Sequence, residues 1–528
     1  NLMGAAAAAA SAGGGDFYTY QIPYSARFDS TSTYLYKTWG AAPTSTTKKT
    51  ISVWLKRSLI GNATAQRIIT ATGNTGSYYF NDTVTDNIAY YSGGGGVNGY
   101  MTTRKFRDPS AWFHFVAIYD SGEANDYDRI KMYINGELFA LNNGGWTFNA
   151  GYPPTTAPDL GKNGVQNLIG AYSGGSGIFN GYMADFIQID GTAAISDFGE
   201  TKNGVWIPKD PSGLTFGTNG FWLNFASSGD MGNDVSGNNN DWTSTGFAAS
   251  DQMLDSPTFN SDSNGGNFAT LNPLGKLGGA NASDPVMSEG NLKVTDFSSA
   301  AGHSKTVPAT FGITSGKWYW EIYVNTKQEG LNVGLCNDFF NTDAPLGYNS
   351  PSSPTGADIT GYYAGNGQTN SNMSAGFAAY GDAFATDGTI IGVAFDADNG
   401  KSFFSKNGTW QNSGNPATGA NPARGAGGAV TTAFSFSKPW FPVVSSYGVA
   451  TPVVTMNFGQ EGSFAGAVTA QGNSDDTGYG NFYYDPPTGF LALCSGNLPV
   501  ADEVDPAQTD DAYPSKVFSA ITYTGTGS

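Results

Sequence analysis

The apolar residues of this chain come in short runs, and that spacing decides most of what it can become. Segments 50–56 (TISVWLK), 112–119 (WFHFVAIY), 130–134 (IKMYI), 318–324 (WYWEIYV), 390–395 (IIGVAF) and 453–458 (VVTMNF) are rich in Val, Ile, Phe, Tyr and Trp, and Gly, Asn, Asp or Pro bound them. β-Branched and aromatic side chains suit a pleated, half-buried surface, and the bounding residues suit turns. No window longer than about ten residues keeps a 3.6-residue period with good helix formers, the oligo-Ala at the start excepted. Glu, which helices favour, occurs only at positions 123, 137, 200, 289, 321, 329, 461 and 503, and Asp supplies the other acids. The expectation is an all-β protein, with two antiparallel β-sandwiches in tandem behind a short Ala/Gly arm.

At roughly 100–200 residues per domain, 528 residues suggest two or three domains. Charged residues are 13% and aromatics 14%, so the chain is not disordered by charge excess and can bury large cores. The 25 basic residues against 43 acidic ones give a net charge of −18, the wrong sign for a phosphate-backbone footprint, so nucleic acid is not expected as a partner. No stretch approaches the roughly 20 apolar residues that span a bilayer, so membrane insertion is not expected either. Cys336 and Cys494 sit in apolar, strand-like settings and read as buried thiols, not as a disulfide framework. With only His114 and His303 beside them, no four-ligand zinc set can be assembled.

Residues 1–16 (NLMGAAAAAASAGGGD) read as an Ala/Gly arm; no basic segment precedes the Ala run, which speaks against a secretory signal. Residues 17–225 form one series of strand-and-turn units. Phe28-Asp29, Trp54 in SVWLKR, Trp112 and His114 in SAWFHFVAIYD, the hairpin Tyr133-Ile134-Asn135-Gly136 and the strand FNGYMADFIQID (179–190) resemble, in order and spacing, the concanavalin A-like jelly roll of LamG and laminarinase-like domains. Within YMADFIQI, period-two alternation puts Tyr182, Ala184, Phe186 and Gln188 on one face and Met183, Asp185, Ile187 and Ile189 on the other. Residues 226–285, dominated by Asn, Asp, Ser and Gly with anchors such as Trp242, Phe247, Leu254 and Phe259, read as a connector draped over the domains. In 286–499 the GKWYWEI strand, the GVAFDADNGKSFFSKNG hairpin and PWFPVVS leading to MNFG resemble a SPRY domain, a two-sheet sandwich used for recognition. That resemblance implies binding through loops at one end, here 341–374 and 411–429. Residues 500–528, an acidic stretch followed by VFSAITYTGTGS, read as a strand leading to a neighbouring module or subunit.

No catalytic residues are assigned. The paired-acid string Glu-x-Asp-x-x-Glu of concanavalin A-like glycosidases is absent, and neither histidine lies near a Gly-x-Ser-x-Gly elbow. The densest oxygen cluster, Asp230, Asn233, Asp234, Asn238, Asn240 and Asp241, reads either as an Asx-bonded turn or as a calcium site, because LamG-like jelly rolls often hold that ion. Tyr90, Tyr91 and Tyr100 in the first domain and Tyr348, Tyr362 and Tyr363 in the second are the candidates for stacking on a sugar, with core packing as the competing role. The module pair with its Ala/Gly-rich start resembles adhesion or virion-surface proteins of marine-type bacteriophages. It implies a non-enzymatic tail-fibre, capsid-fibre or decoration component on the virion surface, homo-oligomeric and favouring a trimer. Its partners would be other virion proteins and a host glycan or protein. A glycan-degrading enzyme on the same fold and a cellular adhesin are the alternatives.

Overall fold

The computed structural model describes residues 17–498 apart from 30–31, 62–63, 74–75, 82–85, 92–98, 126–127, 140, 143–157, 260–264, 276, 279–284, 296–303, 338–357, 372–376 and 448–450. The arm at 1–16 and the segment 500–528 lie outside those residues. Among the described residues there is no α-helix, and four largely antiparallel sheets make two sandwiches.

In the first sandwich one sheet runs in the order Glu137–Leu138, Ile130–Ile134, Phe113–Asp120, Lys48–Arg57, Asn180–Ile189, Ser25–Asp29 and Gln252–Met253. The second sheet runs Leu141–Asn142, Gly99–Thr102, Asn87–Tyr91, Ser77–Asn81, Gln66–Ala71, Gln166–Ile169, Tyr34–Thr38 and Thr243–Thr245. Alternation decides which faces meet. Ile51 and Val53, opposite Ala117 and Phe115, enter a core shared with Ile69, Tyr78 and Phe80 of the second sheet. The hairpin expected at Asn135-Gly136 is present, with φ of 50° and 79°, as a two-residue turn with both residues left-handed demands.

The strict alternation expected over 182–189 is broken. Asp185 adopts φ 43°, and the pairing with Lys48–Arg57 skips between Ala184 and Ile187. This β-bulge brings both Met183 and Phe186 to the core and turns Ile187 and Ile189 to the opposite face. A bulge adds one residue to one strand only, so parity counted along the sequence fails past it.

The second sandwich pairs a sheet ordered Val286–Ser288, Lys293–Thr295, Val453–Asn457, Lys317–Thr326, Ile390–Asp396, Lys401–Lys406 and Thr409–Trp410 with one ordered Leu277–Gly278, Ser304–Pro308, Phe441–Tyr447, Leu331–Cys336, Ile359–Tyr363, Gln368–Ser371 and Phe377–Ala379. Trp320, Ile322, Val333, Leu335, Tyr362, Val393 and Val444 fill the space between them. Cys336 and Cys494 are buried free thiols.

Residues 226–285 do more than drape. Thr243–Thr245 pairs with Tyr34–Thr38, Gln252–Met253 pairs with Ser25–Asp29, Trp242 packs in the first core, and Ala269 and Leu271 pack in the second. The seam beside this stretch is charged and sealed. Lys56 Nζ meets Asp255 Oδ2 at 2.7 Å, Asn267 Oδ1 at 2.8 Å and the Phe268 carbonyl at 2.8 Å, while the Trp112 indole donates to Asp255 Oδ1. Arg27 bridges Asp251 and Glu289 at 2.8 and 2.9 Å. Lys56 and Asp255 have no exposed surface. The Tyr182 hydroxyl donates to the Gly290 carbonyl, and Tyr182 belongs to the apolar cluster of the second sandwich.

Candidate functional site

The same alternation sorts the predicted tyrosines. Neighbours on a strand point to opposite faces, so of Tyr90 and Tyr91, or of Tyr362 and Tyr363, only one can face outward. Tyr90 and Tyr100 are buried in the first core and Tyr362 in the second. These three are corrected from sugar-stacking candidates to core residues. Tyr363 is partly exposed on the outer face of the last sheet, its ring 5.9 Å from that of Phe377. Beside it, Asn332, Gly334, Ile359, Val443 and Ser445 line a shallow depression. Tyr348 lies outside the described residues. The loop 411–429 is closed around buried Arg424, which binds the Asp358 carboxylate and the Ile359 and Thr432 carbonyls under the Phe434 ring.

Tyr91 opens onto a surface that the motif reading missed. Register across the second sheet aligns Tyr36, Leu168, Thr70, Ser77 and Tyr91 on its outer face, with Tyr34, Arg67 and Tyr79 alongside. A bulge between Arg67 and Ile69 sends Arg67 outward although Ile69 faces the core. Tyr34, Tyr36, Arg67, Tyr91 and Tyr172 are all partly exposed. Tyr172 comes from a hairpin closed by its bridge to Ser176. That hairpin lies close because Gly177, at φ 60°, has no Cβ; one would sit 2.9 Å from the Ala65 carbonyl and 3.6 Å from Arg67 Cγ.

The Arg67 guanidinium lies 4.2 Å from the Tyr79 ring centroid and 4.9 Å from that of Tyr172. Its Nη1 donates to Ser77 Oγ at 3.0 Å, and Nε is buried with no acceptor. Burial pulls the guanidinium below its usual range, and the groups that oppose the shift are the phenols of Tyr79, Tyr172 and Tyr91, with no carboxylate among them. It stays charged at neutral pH regardless. The arrangement offers aromatic faces, hydroxyls and one cation on a single sheet face, the mixture that divides sugar recognition between stacking and hydrogen bonding. The sequence signal that could have found part of it is alternation in SYYFN (77–81): with Tyr78 and Phe80 in the core, Ser77 and Tyr79 face outward, and Arg67 joins them across the strand only through the bulge.

The oxygen cluster at 230–241 does not fit a calcium ion. Asp234 Oδ1 accepts the Trp222 and Ser236 backbone N–H groups at 2.9 Å each, and Oδ2 accepts the Ser236 hydroxyl and the Asn240 N–H. Asp241 Oδ1 accepts the Asp234 N–H, and Asp230 Oδ1 that of Gly232. The side-chain amides of Asn238 and Asn240 donate to carbonyls of Gly217, Thr218 and Gly220. Asn233 is exposed. Calcium needs about six to eight converging oxygens; here the oxygens cap backbone donors of a turn. Among the described residues no group of three or more His, Cys, Asp or Glu side chains is placed to hold a metal.

The buried titratable groups are similarly engaged. His114 stacks on Trp54 at 4.7 Å, its Nδ1 accepts the Trp206 indole N–H at 3.0 Å, and Nε2 lies 2.7 Å from Ser52 Oγ. With Nδ1 accepting, the proton of the neutral ring sits on Nε2 and points at the serine, the wrong tautomer for a general base. Burial lowers its pKa to about 3. Asp185 accepts from the Tyr20 hydroxyl and the Trp222 indole, 2.9 Å each, and burial raises it to about 6. Glu321, alternating with Trp320 in its strand, accepts the Tyr483 and Tyr484 backbone N–H groups, the Tyr319 hydroxyl and the Asn457 amide, and burial raises it to about 7.

Residues 29–189 match the family model of the concanavalin A-like lectin/glucanases superfamily, and residues 317–461 match that of the SPRY domain. The chain therefore carries a concanavalin A-like, LamG-type domain and a SPRY domain in tandem. Among solved structures, the SPRY domain of human HERC1 is 17% identical, with 35% of this chain and 96% of that one covered and a TM-score of 0.25. A protein of Bacteroides ovatus ATCC 8483, described as a "putative carbohydrate binding protein", is 16% identical, with 43% of this chain and 61% of that one covered and a TM-score of 0.30. No curated protein matches the chain.

Proposed function

We propose that this chain is a non-enzymatic structural and recognition protein of a virion surface, a tail-fibre, capsid-fibre or decoration component that presents its two sandwiches to host-surface glycan. The observation that carries the recognition part is the row of partly exposed tyrosines beside Arg67 and Ser77 on the outer face of the concanavalin A-like domain. What supports a non-enzymatic role is the engagement of the buried acids and of His114: a retaining or inverting glycosidase needs two carboxyl groups about 5–10 Å apart across a cleft, whereas Glu321, Asp185, Asp255 and Asp190 meet backbone N–H groups, aromatic donors or lysines. The virion setting rests on the module pair and its Ala/Gly-rich start, and a trimer is the assembly that suits such fibres.

Binding of the purified chain to a panel of surface polysaccharides tests recognition, and Tyr34→Ala with Tyr36→Ala should weaken it without unfolding the protein. Release of reducing ends from any bound polysaccharide would replace the reading by an enzymatic one. Mass spectrometry of purified particles should find the chain in intact virions, and its absence there would remove the virion part. A monomeric mass in light scattering would remove the trimer.

A further inference from the structure

Among the described residues, four of the cations that this fold encloses are closely matched with acids. Arg27 has Asp251 and Glu289, Lys49 has Asp190, Lys56 has Asp255, and Arg424 has Asp358. Arg67 departs from that pattern: it is partly buried against two phenol rings, and no described carboxylate pairs with it or acts on its charge. In a chain with 43 acidic residues against 25 basic ones, a shortage of acids cannot be the cause. A planar guanidinium held against two rings is pre-oriented, so binding an oxyanion requires little further ordering. Its Nη1 is fixed by Ser77, whose hydroxyl is itself 2.8 Å from that of Thr70, while Nε has no acceptor.

Resting on the glycan reading of this face, we infer that Arg67 with Tyr79 and Tyr172 forms an oxyanion subsite, and that the recognised saccharide carries a carboxylate or sulfate group. The partly exposed Tyr34, Tyr36 and Tyr91 stack on the sugar ring and Arg67 meets its acid. The net charge of −18 does not forbid this, because at physiological ionic strength charges beyond about 8 Å are screened while the local contact is not.

The test uses the full chain and two matched pairs: oligogalacturonate against its methyl ester, and dextran sulfate against dextran, each titrated calorimetrically. The first pair reads a carboxylate and the second a sulfate. Preference for the acidic member of at least one pair is expected, weakening with added NaCl. Arg67→Gln should lower that affinity about tenfold or more, and Arg67→Lys should restore only part of it, since a lysine keeps the charge and loses the planar fork. Unchanged near-ultraviolet circular dichroism of both variants shows that the fold is intact. Equal binding of acidic and neutral members, or full affinity in Arg67→Gln, overturns the subsite and leaves glycan recognition standing. No binding of any of the four polymers, with no binder in the wider polysaccharide panel, overturns both.

Discussion

Lys56 and Arg67 sit on facing sheets of one sandwich and have opposite surroundings. Lys56 points from the first sheet into the seam with the second domain, where Asp255, Asn267 and the Phe268 carbonyl take all three ammonium protons. Arg67 points from the second sheet to the outside, with tyrosines for walls and the Ser77 hydroxyl for its acceptor among the described residues. A buried, fully bonded charge specifies how parts dock, because any other partner leaves it unpaired. A charge that the fold holds still without neutralising is available to something else. The contrast separates the assembling face of the first domain from the face proposed to receive a ligand.

The largest effect should come from the seam. Lys56→Met leaves the Asp255 carboxylate buried without its cation and should lower stability by about 3–5 kcal/mol in urea unfolding. A loss under about 1 kcal/mol would mean that the seam does not depend on the pair. Next comes Glu321, which clamps residues 483–484 onto the second sandwich. Its ordinary value is 4.5 and its folded value about 7, so the folded state holds the proton more tightly. Stability relative to Glu321→Gln is therefore greatest below pH 4.5 and falls as pH rises to 7, by about 2–3 kcal/mol in all. Melting curves of both proteins across that range check the sign. Trp206→Phe deprives His114 Nδ1 of its donor and should cost about 1–2 kcal/mol, with the ring tautomer visible by nitrogen NMR. On the outer face, Arg67→Gln should change stability by no more than about 0.5 kcal/mol; a loss comparable to that of Lys56→Met would erase the contrast. Smallest of all, a chelator should leave the melting temperature unchanged, because the 230–241 turn is held by its own hydrogen bonds; a drop would reinstate calcium.

Much of the architecture was legible because it follows from local rules. Short Val- and aromatic-rich runs made strands, Asn135-Gly136 made its hairpin, and the Asn/Asp-rich 230–241 stretch made an Asx-bonded turn. What escaped depended on parity and on partners distant in sequence. The bulge at Asp185 and the one between Arg67 and Ile69 each reset which side chains face the core, and a single inserted residue leaves no compositional mark. Tyr90, Tyr100 and Tyr362 were attractive as exposed rings for the same reason that they serve as core: a phenol satisfies both roles until its face is known. Arg67 was missed because its surroundings come from three separate stretches, Ser77 and Tyr79, Tyr91, and the hairpin at 172–176.

The weaving of residues 226–285 through both sandwiches bears on how such a protein can diversify. A cut at residue 285 would strip the second core of Ala269 and Leu271, and a cut at residue 225 would take Trp242 and an edge strand from the first. Neither half is a cassette that recombination could exchange cleanly. The transferable unit is the pair.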